Sequence, residues 1–222
     1  MRCLAALLLA ALPAAAADEP LKKGDKIVFL GDSITAGGVG KNGYVTLIKA
    51  ALAEKHKDLD IEIVGAGISG NKVPDLQKRL EKDVLSKKPT IVVIYIGIND
   101  VWHGENDPAR GTPKDKFEAG LKEIIGKIQA SGARVVLCTP TVIGEKKSNK
   151  LDKLLDEYSE ISRGVAKETK SAPCDLRKAF LDHLAKNNSD DKDKGILTTD
   201  RVHLNEAGNK LVAETMLKVL DK

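Results

Sequence analysis

Residues 27–38 read Ile-Val-Phe-Leu-Gly-Asp-Ser-Ile-Thr-Ala-Gly-Gly. The run Ile27–Leu30 is apolar without polar alternation, which suits a strand buried on both faces of a parallel sheet. It ends abruptly in Gly31-Asp32-Ser33, which places a hydroxyl at the start of the next element. Taken alone, Ser33 is a turn or helix-cap residue, because serine is favoured there. Whether it is also a nucleophile depends on what the rest of the chain brings to the same place.

Similar short apolar runs recur at Ile61–Val64, Ile91–Ile96, Arg134–Cys138 and, more weakly, Ala172–Leu176. Between them lie stretches with helical spacing, each suited to burying one stripe. Tyr44, Leu47, Ile48 and Leu52 follow the first strand; Val73, Leu76, Leu80 and Val84 follow the second. Phe117, Leu121, Ile124, Ile125 and Ile128 follow the third, and Leu151, Leu154, Leu155, Tyr158, Ile161 and Val165 the fourth. The last helix carries Leu211, Val212, Met216, Leu217 and Leu220. Strand and helix alternating in this way predict an α/β sandwich with right-handed crossovers. The polar stretch 186–195 is expected to be a loose solvated loop, and its Asp spacing lacks the acid and glycine placement of a calcium loop.

The chain has 222 residues, enough for one good-sized α/β domain. A net charge of +4, from 36 basic and 32 acidic residues, describes a mixed surface and not a nucleic-acid footprint. Residues 1–17 stand apart. Met1-Arg2 is followed by a Leu/Ala-rich run and then by Pro13 and four alanines, the pattern of a secretory signal peptide. The apolar part is too short for a permanent membrane span. The expected layout is a leader over 1–17 and a mature domain over 18–222, secreted or periplasmic, with no stable membrane insertion after cleavage. Cys138 and Cys174 then remain; they lie near the ends of strands that could be neighbours, so a disulfide and two buried thiols both stay open. Without a CxxC pattern they form no zinc site.

In open α/β sheets ligands bind where the carboxyl ends of the strands meet their loops. That edge gathers Gly31-Asp32-Ser33, Gly67-Ile68-Ser69-Gly70-Asn71, Gly97-Ile98-Asn99-Asp100 and Thr139-Pro140-Thr141, with Thr199-Asp200-Arg201-Val202-His203 ahead of the last helix. Acyl transfer needs such a set. A serine hydroxyl is a poor nucleophile until a base takes its proton, and His suits neutral pH. A carboxylate on the second ring nitrogen would aim the imidazole, and Asp200 and His203 can meet within one turn. Gly70 and Asn99 are candidate oxyanion donors, joined by the Ser33 N–H at a helix N-terminus. Trp102 and His103 lie close enough to Asn99 to line the site. Asp32 is read mainly as an acceptor holding the loop, with substrate contact as its other possible role. His56 and His183 read as surface residues.

GDSIT at 31–35, GISG at 67–70, GIND at 97–100 and DRVH at 200–203 follow one another across the whole mature chain. In order and spacing these blocks resemble those of the SGNH hydrolases, also called GDSL esterases/lipases. The second block departs from the family pattern, with Gly65-Ala66-Gly67 and Asn71 where the family often has Asn before the glycines and Asp after them. The resemblance implies a flavodoxin-like three-layer α/β/α fold with a central parallel five-stranded sheet. It also implies ester hydrolysis without cofactor or metal. By motif, Ser33 is nucleophile and oxyanion donor, Gly70 and Asn99 are oxyanion donors, His203 is the base and Asp200 orients it. The expected substrates are short-chain esters, chiefly O-acetyl groups on carbohydrate, as in rhamnogalacturonan-type acetylesterases. A lysophospholipase or thioesterase is the alternative enzyme, and a non-catalytic carbohydrate-binding protein the alternative class. A phosphate cradle in the glycine-rich 31–40 loop is disfavoured by the missing G-x-x-x-x-G-K-[ST] and G-x-G-x-x-G patterns.

Overall fold

The computed structural model of the chain describes residues 19–105, 107–147 and 149–222. The expected leader over 1–17 lies outside the described residues. Five strands, β1 (Lys26–Gly31), β2 (Glu62–Gly67), β3 (Ile91–Tyr95), β4 (Arg134–Cys138) and β5 (Ala172–Cys174), form one parallel sheet in the order β2-β1-β3-β4-β5. The helices are α1 (Ser33–Gly38), α2 (Tyr44–Lys55), α3 (Val73–Asp83), α4 (Ile98–Trp102), α5 (Lys114–Ala130), α6 (Lys150–Glu168), α7 (Leu176–Asn187) and α8 (Glu206–Leu220). One face of the sheet carries α3, α5 and α6 packed side by side, and α2, α8 and α7 pack together on the other. This is the expected three-layer α/β/α sandwich.

Buried apolar residues decide which strands are central. Ile91–Tyr95 and Arg134–Cys138 are buried at every position, as is β1 after Lys26. β2 is an edge strand and only half-buried, with the expected Ile61–Val64 run shifted and extended through Gly65-Ala66-Gly67. Glycine is required at its end: a Cβ on Gly67 would lie 2.2 Å from the Ala36 backbone nitrogen, because α1 crosses directly over the strand. β5 is shorter than its apolar run suggested. Pro173, which has no N–H to give a ladder, is tolerated because the strand is at an edge. Asp175 then ends the strand by capping α7 through the Lys178 N–H at 3.0 Å.

Cys138 and Cys174 stand opposite each other in the β4–β5 register, both buried and both free thiols. Burial, together with the neighbouring Cys174 thiol, pushes the Cys138 thiol up. The stretch expected to be loose is ordered by specific bonds. α7 runs through Asn187, and Asn188 is 3% exposed. The Asn188 side-chain amide donates to the carbonyls of Glu145 and Lys192 at 2.9 and 2.8 Å. A buried amide needs such partners, and no spacing rule in the sequence announces them.

The chain leaves β2 and returns past β1 to form β3, so the direction of winding reverses between β1 and β3. A crevice at the carboxyl ends of those two strands follows from this topology. Ser33 stands just beyond β1 and Asn99 just beyond β3. Because α1 depends on the bare end of β2, Gly67→Ala is expected to destabilise the fold by about 1–3 kcal/mol, as for other forced overpacking. It should also displace Ser33 and so lower the ester hydrolysis that the motifs lead one to expect; chemical denaturation and ester turnover measure the two effects.

Candidate active site

α1 begins at Ser33 because Asp32 caps it: the Asp32 carboxylate accepts the Ile34 N–H at 2.9 Å. The Ser33 N–H is among the first helical amides, which no intrahelical carbonyl can reach. It is therefore available at the positive end of the helix. The Ser33 hydroxyl lies 2.9 Å from His203 Nε2, and His203 Nδ1 lies 2.7 Å from Asp200 Oδ2. The expected Ser–His–Asp set is thus one continuous hydrogen-bonded chain, assembled from residues 170 positions apart.

Asp200 is fastened at its other oxygen, which accepts the N–H groups of Val202 and His203 at 3.1 and 2.8 Å. Its partial burial would raise its pKa. The side-chain and backbone bonds from His203 and the bond from Val202 outweigh that and hold the carboxyl below its usual range. It is ionised at neutral pH, as an aiming carboxylate must be. Between Asp200 and Val202 the backbone bends through Arg201 at a φ of +88°, a conformation costly for a residue with a side chain. The Gly144 N–H bonds the Arg201 carbonyl at 2.7 Å, and the Arg201 side chain pairs with Asp193 at 2.8 Å.

The residue that anchors this loop was not foreseen. Glu145, 3% exposed, accepts the N–H groups of Ile196, Leu197 and Thr198 at 2.8, 2.8 and 2.6 Å and the Thr198 hydroxyl at 2.8 Å. It ties the segment after β4 to the segment that leads into Asp200 and His203. A lone acid following the apolar Val142-Ile143 and a glycine was the available signal.

The second and third blocks meet at Asn71. Gly70 has a φ of +79°, which favours glycine, and the Asn99 side-chain amide donates to the Asn71 carbonyl at 3.1 Å. An amide has two donor hydrogens, so one N–H of Asn99 fixes the Gly70 loop while the other remains for a ligand. Asn99 is 3% exposed and Asp100 1%. Asp100 accepts the Val73 N–H at 3.1 Å, which joins α4 to the start of α3; its other oxygen faces the Thr112 hydroxyl without a well-formed hydrogen bond.

His103 borders the same loop: a Cβ on Gly70 would lie 3.9 Å from its Cε1. Partial burial, with the positive charges of Lys72 and Arg110, lowers its pKa. Trp102 is half-buried against the core, its ring 6.2 Å from that of His103. Ser69 is exposed and has none of the Ser33 partners. Asp32 is 2% exposed, so its carboxylate supports the loop from inside and offers no open face to a substrate. His56 is hydrogen-bonded to Asp221 at 2.6 Å, a contact that joins the end of α2 to the residue after α8. Among the described residues no group of three or more His, Cys, Asp or Glu could hold a metal ion, and no helix is long and apolar enough to cross a membrane.

Burial pushes the Asp32 carboxyl up to about 7, against the pull of the Ile34 N–H, with the charge of Asp100 adding to the rise. Burial also pushes Asp100 up to about 6. The unfolded chain would release the Asp32 proton near its ordinary pKa of about 4. Between those values the folded state holds more protons, so this group's contribution to stability falls as pH rises from about 4 to 7. Asp32→Asn keeps the acceptor for Ile34 and removes the titration. Its stability relative to wild type should therefore increase with pH across that window, by at most about 1.4 kcal/mol per pH unit. Denaturation curves at graded pH test this, and parallel curves for the two proteins would contradict it.

The chain matches the family described as GDSL-like Lipase/Acylhydrolase over residues 29–211. It is 47% identical to an acetyl xylan esterase of known crystal structure, with a TM-score of 0.84 over 88% of this chain and 99% of that one. An acetylxylan esterase of Geobacillus stearothermophilus is 32% identical across 88% of this chain and 93% of its own length. A crystal structure of an acetylxylan esterase from Geobacillus stearothermophilus, 31% identical, superposes with a TM-score of 0.81 over 92% of this chain and 97% of that one. An isoamyl acetate-hydrolyzing esterase 1 homolog of Mus musculus is 24% identical, over 89% of this chain and 82% of that protein. With four sequence blocks, the fold and these likenesses in agreement, the chain belongs to the GDSL-like lipase/acylhydrolase family and is a carboxylic ester hydrolase.

Proposed function

We propose that this chain is an exported esterase that removes O-acetyl groups from carbohydrate, with xylan-type oligosaccharides as its substrate class. The observation that carries the catalytic part is the unbroken chain Ser33–His203–Asp200. The substrate class is supported by relatives named for acetylxylan. In the Geobacillus stearothermophilus protein, variants with a serine, an aspartate or a histidine replaced by alanine are described as catalytic mutants. The proposed site is also open, with the side chains of His203 and Asp200 39% and 50% exposed. A base on an open surface suits an ester carried on a bulky glycan better than a buried acyl tunnel would. Export rests on the leader-like residues 1–17.

The Ser33 oxygen attacks the acetyl carbonyl while His203 Nε2 takes the hydroxyl proton. The resulting imidazolium is paired through Nδ1 with ionised Asp200. Negative charge on the former carbonyl oxygen is met by the Ser33 N–H, the Gly70 N–H and the second N–H of Asn99, donors set before the reaction begins. As the tetrahedral intermediate collapses, the C–O bond to the sugar breaks, and His203 returns the proton to the departing sugar oxygen. Water then repeats the attack on acetyl-Ser33, giving up a proton to His203, and acetate leaves as Ser33 is restored.

Hydrolysis of acetylated xylo-oligosaccharides and of p-nitrophenyl esters of graded chain length tests both parts of this reading. Ser33→Ala and His203→Ala should each lower kcat/KM by about 10,000-fold or more, since members of such a set act as a unit. Acetyl esters should turn over fastest. Full activity in Ser33→Ala would overturn the mechanism, and a preference for long acyl chains would overturn the acetyl assignment in favour of a lipase or thioesterase.

A further inference from the structure

Arg79 lies on α3 and makes no approach to Ser33, yet its guanidinium binds the backbone on which the proposed oxyanion donors stand. Its side chain is 12% exposed. Nη2 donates to the Gly31 carbonyl at 2.8 Å and to the Ala66 carbonyl at 2.9 Å. Nε donates to the Asn71 side-chain oxygen at 2.7 Å, and Nη1 to Asp83 at 3.1 Å. Gly31 ends β1, two residues before Ser33. Ala66 lies near the end of β2, and Asn71 follows Gly70. The Asn71 backbone carbonyl in turn receives the Asn99 amide at 3.1 Å. One cation therefore spans the supports of Ser33, Gly70 and Asn99.

Parallel strands present carbonyls at their carboxyl ends, and these need donors once the loops fold over them. The planar fork of an arginine can serve several fixed acceptors at once; a lysine ammonium is a compact point charge and cannot reproduce that spacing. The Gly31 carbonyl also receives the Ile68 N–H at 3.2 Å, so the β1 end and the Gly70 loop are joined twice. Separation of these strand ends would move the Ser33 N–H relative to the Gly70 N–H. The oxyanion develops between those groups, and a displacement of that kind weakens stabilisation of the transition state more than binding of the ester.

We infer that Arg79 is a positioning residue for the oxyanion hole, setting the spacing of the Ser33, Gly70 and Asn99 donors through the Gly31 and Ala66 carbonyls and the Asn71 side chain. This rests on the serine-esterase reading above. Arg79→Lys and Arg79→Ala should lower kcat for p-nitrophenyl acetate by about tenfold to a hundredfold, in line with the effect of small misplacements in reacting geometry, with KM within about threefold of wild type on the same grounds. Affinity for an alkyl boronic acid, which forms a tetrahedral adduct on the serine, should fall by the same factor as kcat/KM. Added guanidinium at low millimolar concentration should restore part of the Arg79→Ala rate, and urea should not. Asp83→Ala, which removes only the outer partner, should keep activity within about twofold.

If Arg79→Ala fails to fold, Arg79→Lys carries the test, its folded fraction checked by circular dichroism and denaturation. Wild-type kcat and boronate affinity in folded Arg79→Lys would overturn the inference. So would a loss accounted for wholly by a smaller folded fraction, with activity per active site unchanged. Either result leaves the esterase reading standing if Ser33→Ala is inactive, so the two claims fail separately.

Discussion

The proposed chemistry depends on one hydrogen bond, the 2.9 Å contact between the Ser33 hydroxyl and His203 Nε2. Its two ends belong to opposite ends of the chain, 170 positions apart. Ser33 is delivered by β1, the strand that pairs with both β2 and β3. His203 is delivered by an irregular segment just before α8, where no strand sets its position. The sheet fixes the position of Ser33, but His203 needs separate anchorage. Glu145 supplies it through three backbone amides and one hydroxyl, and the strained Arg201 is held by the Gly144 N–H and by Asp193. Asp200 and His203 are aimed locally, whereas the placement of their loop is a long-range matter.

Buried ionisable groups recur along this edge. Asp32 caps the helix that starts at Ser33, Asp100 ties α4 to α3, Glu145 binds the segment before His203 and Arg79 gathers the strand ends. Arg177, 2% exposed, binds Asp152 and the Thr141 carbonyl, each at 2.7 Å. Burying charged groups opposes folding unless each finds partners. Their concentration at the carboxyl ends of the strands fits a division of labour, in which the apolar sheet interior supplies stability and this edge uses part of it to hold polar groups rigid. Burial raises the pKa values of Asp32 and Asp100, as it does for carboxyls held away from water.

The fold was legible because its signals are periodic. The Ile/Val runs of β1, β3 and β4 and the apolar stripes of α3, α5, α6 and α8 each repeat a pattern that only one packing satisfies. The catalytic candidates were legible because Ser33, Gly70, Asn99, Asp200 and His203 follow strands or precede a helix at one edge. The supporting residues were not. Arg79 occupies an ordinary position in a charged helix and reads as surface; what buries it is the turn of the Gly70 loop across the end of β2. Glu145 and Asn188 carry no period at all, and their partners are carbonyls and amides that any residue could offer. For that reason a segment rich in Asn, Asp and Lys was expected to be loose, when one buried amide holds it in place.

The central claim is that Ser33 becomes covalently acylated with His203 as its base. Treatment with a fluorophosphonate, which leaves a stable ester on an activated serine, measures this directly. After digestion with trypsin, the account predicts one label per chain on the peptide spanning residues 27–41, with labelling slowed strongly in His203→Ala. Label on the peptide that contains Ser69, or labelling of Ser33 at an unchanged rate without His203, would contradict it.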